Sequence, residues 1–372
     1  MKTIIFLLQK EFRQIRRNKT ILPIIFVLPI IQLLILVHAT TFEIKNAKLC
    51  IVDQDMSNTS QRLVHQLEGS SFFKVTGSTH SFEEAKLELD KGRADMIVYI
   101  PAEFSQQLVK EKKTTIQLIP NAINANVATL TFSYAAYVIA DFNKDIITEW
   151  AGNIIPSPIK TIHTETRFWY NPELNYKWYM FPGIMVILIT TIGMFISGLN
   201  LVREKEIGTS EQLNVTPMKK YHFIVGKLLP FLLIGLFELI LATTIGNLAF
   251  GVPLVGSIWV LLAFTFVFLL VVLGIGLFIS TMAETQQQMM FIGFFIVIVF
   301  ILLSGIFTPT ESMPIWVQKF NIINPITYFM RVIRMVMLKG SGFTDLIPEF
   351  LSLGIYSLVI LSLATWRYRK TA

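Results

Sequence analysis

Phe250-Gly251-Val252-Pro253 lies inside an apolar run that extends from Leu228 to Ala283 and is broken only by Glu238. The run is far too long for one membrane helix, which needs about 20 residues. Glycine and proline at its middle mark a turn, so the run reads as two spanning helices joined by a hairpin. Uncharged runs near 21–40, 179–201, 286–308 and 348–366 supply four more spans. Pro348 suits the first turn of the last helix, and Arg367, Arg369 and Lys370 close it. The first run, Thr20 to Phe42, contains Pro23 and Pro29 and lacks a small-residue cleavage site, so it reads as a retained span rather than a signal peptide.

Composition agrees with that reading. The 372 residues are 53% hydrophobic and 15% charged, and the mean hydropathy is +0.58. Soluble domains carry about 25% charged residues. The net charge of +7 comes from basic residues beside the apolar runs, which points to membrane topology and away from nucleic acid. A single cysteine, Cys50, rules out an intrachain disulfide and a cysteine-based zinc cluster. With no His-Glu-x-x-His pair, a metal site has no support either.

The remaining segments sort by pattern. In Met1 to Lys19, Ile4, Ile5, Leu7, Leu8, Phe12 and Ile15 face one way, and Lys10, Arg13, Arg16, Arg17 and Lys19 occupy the rest. Residues 1–19 therefore read as an interfacial amphipathic helix, its basic residues against anionic lipid. Residues 20–42 form the first span. Residues 43–177 have a soluble composition and nearly balanced charge, and six spans with two basic termini place them outside the cytoplasm. Short apolar runs at Leu49–Val52, Phe72–Val75, Met96–Ile100 and Ile116–Ile119 read as strands, separated by helices at Ser81–Lys91 and Ala122–Glu149. Ser81 and Glu84 have capping-box spacing. Cys50 in this domain is expected to react with an impermeant thiol reagent from outside, if it is accessible. Residues 178–372 hold the other five spans.

A charged island, Arg203-Glu-Lys-Glu-Ile-Gly-Thr-Ser-Glu-Gln-Leu-Asn-Val-Thr-Pro-Met218, separates the second and third spans. It must lie in water, where another protein can grip it and move the spans on either side. No phosphate-cradling Gly-x-x-x-x-Gly-Lys-Ser/Thr occurs, so the chain is not expected to hydrolyse ATP. No Gly-x-Ser-x-Gly elbow is present.

The fifth span ends in Leu303-Ser-Gly-Ile-Phe-Thr-Pro309, followed by Met313-Pro314, Asn324-Pro-Ile-Thr-Tyr-Phe329, Arg331, Arg334 and Lys339-Gly340. At these residues, at the island and at Lys10-Glu11-Phe12, the chain resembles the permease subunit of ABC type-2 exporters. The resemblance covers essentially the whole chain. It implies that residues 202–222 form a coupling loop gripped by a separate ATP-binding subunit, with Arg203, Glu204, Lys205, Glu206, Gly208, Thr209, Glu211, Gln212 and Leu213 at the contact. ATP belongs to that partner, and this chain carries no cofactor. It also implies a second permease subunit, identical or paralogous, and leaves room for a periplasmic adaptor. Residues 309–340 become a re-entrant segment capping the outer end of the pathway, with Pro325 and Tyr328 as pathway candidates. Trp316 and Tyr328 read equally well as interfacial anchors.

Glu238 is the acidic residue within a span, and a carboxylate there needs a partner or a wet path. It is expected to face the pathway, to pair with Asn247 or Gln32, or to act as interhelical glue. The whole reads as a polytopic α-helical membrane protein of a bacterial inner membrane, with six transmembrane helices, cytoplasmic termini and an extracytoplasmic α/β domain. Its expected task is export of a hydrophobic drug or lipid-like molecule. The alternative is a membrane receptor with an extracytoplasmic ligand domain.

Overall fold

A computed structural model describes residues 2–17, 21–39, 47–151, 169–172, 175–208 and 220–368. The chain divides into two compact units, Phe42–Glu165 and the remainder.

The smaller unit is built on a four-stranded sheet. Its strands are β1 (Ala47–Asp53), β2 (Phe73–Thr79), β3 (Met96–Ile100) and β4 (Gln117–Pro120), in the order β2-β1-β3-β4. β1 pairs in parallel with β2 and β3, and β4 runs antiparallel at the edge beside β3. Parallel neighbours need crossover connections, supplied here by α3 (Asn58–Glu68) and α4 (Phe82–Asp90). Strand alternation sends Leu49, Ile51, Met96, Val98 and Ile100 to one face, against α3, α5 (Phe104–Glu111) and α6 (Ala125–Ala151). Cys50, Val52 and Ile97 point to the other face with Ala85 of α4. Both faces are covered, which is why β1 and β3 read as continuous apolar runs. Cys50 is 2% exposed, and burial, then the Glu88 charge, push its thiol pKa up. The expected reaction with an impermeant reagent is therefore closed off by packing. The capping box at Ser81 does not form either: Ser81 makes no side-chain cap bond, and Glu84 takes the Thr79 hydroxyl instead.

The larger unit is helical. It comprises α1 (Lys2–Arg17), α2 (Ile21–Ala39), α7 (Tyr176–Glu206), α8 (Lys220–Phe250), α9 (Ile258–Met282), α10 (Gln286–Leu303), α11 (Ile315–Phe320), α12 (Pro325–Arg334) and α13 (Ile347–Arg367). Among the described residues, α7 to α10 and the stretch Thr344–Arg367 are long and apolar enough to cross a membrane, and Ile25–Ala39 is a shorter apolar helix. The chain is thus a multi-pass membrane protein. α7 and α9 pack closely because Gly276 has no side chain: a Cβ there would stand 2.4 Å from the Met194 carbonyl oxygen. Small residues that let backbones approach are the usual currency of helix association in lipid. Hydroxyls within the spans turn back on their own helices, as Thr190 does to Val186 O and Thr265 to Leu261 O.

Residues 309–340 fold as short helices. Asn324, fully buried, caps α12 by accepting from Ile326 N (3.1 Å) and donates to Phe300 O (2.8 Å). Pro325 follows at the first turn, where its missing N–H costs nothing. Phe329 stacks on Phe268 of α9, with ring centroids 4.2 Å apart. α12 is anchored in the core, whereas Ile315, Trp316, Ile322 and Ile323 just before it are exposed.

Candidate coupling site

The island begins inside a helix. Arg203 to Glu206 form the last turn of α7, which ends at Ile207 with Gly208 in the left-handed region (φ +77°). A helix terminating in this way favours glycine, since other residues meet a Cβ penalty there. Thr209, Glu211, Gln212 and Leu213 lie outside the described residues.

Glu204 is not offered to a partner protein, as its place in the charged island suggests. It is 3% exposed, and its Oε1 receives Lys10 Nζ at 2.7 Å and Lys227 Nζ at 2.6 Å. Lys227 also reaches Glu11 Oε1 (2.7 Å) and Asn200 Oδ1 (2.9 Å). Two lysines and two glutamates from three helices make a charge-balanced cluster, with Lys227 and Glu11 wholly enclosed. Burying an ion is costly, and such a group holds only when its partners are correctly placed. α1 comes close enough to place Glu11 because Gly226, next to Lys227, receives Leu7: a Cβ at Gly226 would lie 2.9 Å from the leucine side chain. Desolvation lowers the pKa of Lys10, but its bonds to Glu204 outweigh that and hold it above the usual lysine value.

The neighbouring island residues also turn inward. Lys205 Nζ donates to Ser280 O (2.5 Å) and Ala283 O (3.3 Å), closing the C-terminal end of α9 where a cation complements the free carbonyls. Glu206 Oε1 accepts from Gln286 N (2.7 Å), and Oε2 from the Gln286 side chain, at the start of α10. Glu206 remains exposed. Three consecutive residues, Glu204 to Glu206, therefore connect the end of α7 to α1, α8, α9 and α10. Any force on the segment beyond Gly208 reaches these helix ends through charge-assisted bonds, which are stronger than neutral ones.

Glu11, Lys227 and Asn200 were missed as members of this site by the sequence reading. Glu11 carried the available signal. It stands one turn from both Leu7 and Ile15, in the middle of the buried stripe of α1, and a carboxylate in that position requires a cation.

The other candidates are placed separately. Glu238 is 3% exposed, and neither carboxylate oxygen has a hydrogen-bond partner among the described residues. The expected pairing with Asn247 or Gln32 is not made; Asn247 donates to Val252 O instead (3.4 Å). Pro325 is buried at the start of α12. Tyr328 is half-buried, and its hydroxyl donates to Ile322 O (3.0 Å). Both serve the local fold of residues 321–334. Arg334 spans two elements nearby, donating to Gly305 O (3.0 Å) and Ile306 O (3.2 Å) with its guanidinium 4.0 Å from the centre of the Tyr179 ring.

The sequence of this chain is similar to those of known proteins along most of its length. A family model described as ABC-2 family transporter protein matches residues 19–366. The "Probable multidrug ABC transporter permease YbhR" of Escherichia coli (strain K12) is 32% identical over 338 residues, 90% of each chain. The "Inner membrane transport permease YhhJ" of the same strain is 28% identical over 368 residues, 97% of this chain and 96% of the relative. The "ABC transporter G family member 20" of Dictyostelium discoideum is 24% identical over 338 residues, 90% of this chain and 46% of that longer protein.

Proposed function

This chain belongs to the ABC-2 family of transporter proteins, and we propose that it is the membrane-spanning permease subunit of an exporter driven by a separate ATP-binding subunit. Six helices span a bacterial inner membrane, both termini face the cytoplasm, and the α/β unit lies outside it. Residues 202–222 are the element the ATPase grips. Two permease subunits, identical or paralogous, enclose the pathway, and ATP-driven approach of the two motors biases it between two states. The cargo is a hydrophobic drug or lipid-like molecule, in keeping with relatives named as multidrug permeases.

The observation that carries this reading is the buried cluster of Lys10, Glu11, Glu204 and Lys227, because it fixes the base of the island and leaves the residues beyond Gly208 as the gripping part. Nothing favours the receptor reading, since the relatives are named as transporters. The test is affinity purification from membranes in mild detergent with mass spectrometry of copurifying chains. An ATPase with a phosphate-binding loop should copurify and be lost in a Glu211→Ala/Gln212→Ala/Leu213→Ala variant. Glu204 is left intact there, because replacing it would disturb the cluster and confound the result. Recovery of the chain with no ATPase under several gentle conditions would withdraw the coupling assignment.

A further inference from the structure

Beside the ion-pair cluster lies a cleft of about 650 Å³, open to solvent, between one stripe of α1 and the end of α7. Phe6, Gln9, Lys10, Arg13 and Arg17 line it at the three- and four-residue spacing of a helix face, and Arg203 closes the far side. With Gln14, seven side chains line it, and four of them are cationic. Arg13, Arg17 and Arg203 make no ion pair among the described residues, and Glu204, next in sequence to Arg203, is already committed to Lys10 and Lys227. Among the described residues the cleft is therefore an uncompensated cationic site. An anion carrying several oxygen acceptors fits it, because guanidinium forks recognise phosphate oxygens in pairs.

The setting selects the source of that anion. Phe6 on the cleft wall is 68% exposed, and Ile5 (53%) and Phe12 (43%) lie exposed on the same helix. An amphipathic helix with cations on one side and bare apolar residues beside them lies in the headgroup layer of a membrane. There the phosphate of an anionic lipid approaches the cations while its acyl chains cover the apolar side chains.

We propose that this cleft binds the headgroup of one anionic phospholipid. Lys10 lines the cleft and also bonds Glu204, so the lipid phosphate and the base of the coupling segment share one ammonium. Lipid occupancy thereby steadies α1 against the end of α7. The inference does not rest on the transport reading: lipid binding is expected whether or not an ATPase copurifies.

The test is native mass spectrometry of the purified full-length chain in detergent, titrated separately with dioleoylphosphatidylglycerol, dioleoylphosphatidylcholine and inorganic phosphate. One phosphatidylglycerol should bind tightly where phosphatidylcholine does not. The Arg13→Gln/Arg17→Gln/Arg203→Gln variant should weaken that binding about 100-fold, roughly fivefold per cation removed, and the corresponding triple Lys variant, which keeps the charge but loses the forks, should bind between the parent and the Gln variant. If the triple Gln variant fails to fold, Arg13→Gln/Arg17→Gln, at two exposed positions, decides with an expected loss of roughly 25-fold. Unchanged affinity in the Gln variant overturns the site. Equal binding of phosphatidylcholine overturns it in favour of acyl-chain adhesion, and equal binding of inorganic phosphate in favour of a free anion. Loss of a copurifying ATPase with lipid binding intact overturns it in favour of an acidic protein surface.

Discussion

Lys227 and Glu238 stand on the same face of one helix, roughly three turns apart, and both are almost completely enclosed. Lys227, near the helix start, has two carboxylates and an amide oxygen within 2.9 Å. Glu238, in the middle of the apolar run, has no hydrogen-bond partner among the described residues. Burial alone therefore does not describe an ionisable residue. At Lys227 it marks a joint where three helices are fixed to one another. At Glu238 it marks a polar group unanswered among the described residues, which a transport role or interhelical glue would each explain.

The contrast can be broken most directly at Lys227. Lys227→Met leaves Glu11 and Glu204 buried without their cation, and breaking a buried pair in this way costs about 3–5 kcal/mol. Thermal unfolding of the purified chain should show the loss, and adding Glu11→Gln should recover a substantial part of it. A Lys227→Met protein as stable as the parent would mean that the cluster does not hold the helices.

Arg334 offers an intermediate case, since carbonyl oxygens and the Tyr179 ring hold it instead of carboxylates. Arg334→Lys keeps the charge but loses the fork, and should cost about 1.5–3 kcal/mol. The same melting experiment reads it, and a loss equal to that of Lys227→Met would erase the distinction between the two kinds of joint.

Glu238→Gln removes no hydrogen bond and keeps the side-chain volume, so it should cost less stability than Arg334→Lys. Export should nevertheless fall. Efflux of a fluorescent hydrophobic dye at matched expression checks this, and full transport by the variant would leave Glu238 as interhelical glue.

The smallest effect is expected where the pair stands in water. Arg62 grips Glu149 with two bonds (2.9 and 2.6 Å) on the smaller unit, both side chains being about half exposed. The Arg62 hydrogen bonds, more than its charge, hold the Glu149 pKa below the usual carboxylate value. A depressed carboxylate contributes stability above its unfolded pKa and loses it as pH falls through the folded one. The slight difference between parent and Arg62→Ala melting should thus be present at pH 7 and vanish in acid below that folded value. A difference that persisted in acid would show Arg62 acting through packing.

Much of the fold was legible along the chain because it is written in local spacing. The turn at Phe250–Pro253 and the helices on either side follow from length and hydropathy, and the four strands follow from short β-rich runs between turn residues. The helices α3 and α5 escaped notice. α3 is polar on most of its surface and buries little beyond Ser60, Leu63 and Leu67, and α5 is eight residues long with Phe104 buried at its start. The island was recognised as the informative segment, yet its first residues were assigned outward because a run of charges between apolar stretches implies water.

What the sequence determined by itself is the set of membrane-length apolar segments, the separate α/β unit and the family. Only the tertiary structure decided which charges are spent inside. Lys227 lies 216 positions from Glu11, and Lys10 lies 194 from Glu204. Local periodicity carries no information over such separations. The pairs exist because Gly226 lets α1 approach, and because an ion removed from water must find its counter-charge wherever the packed helices bring one.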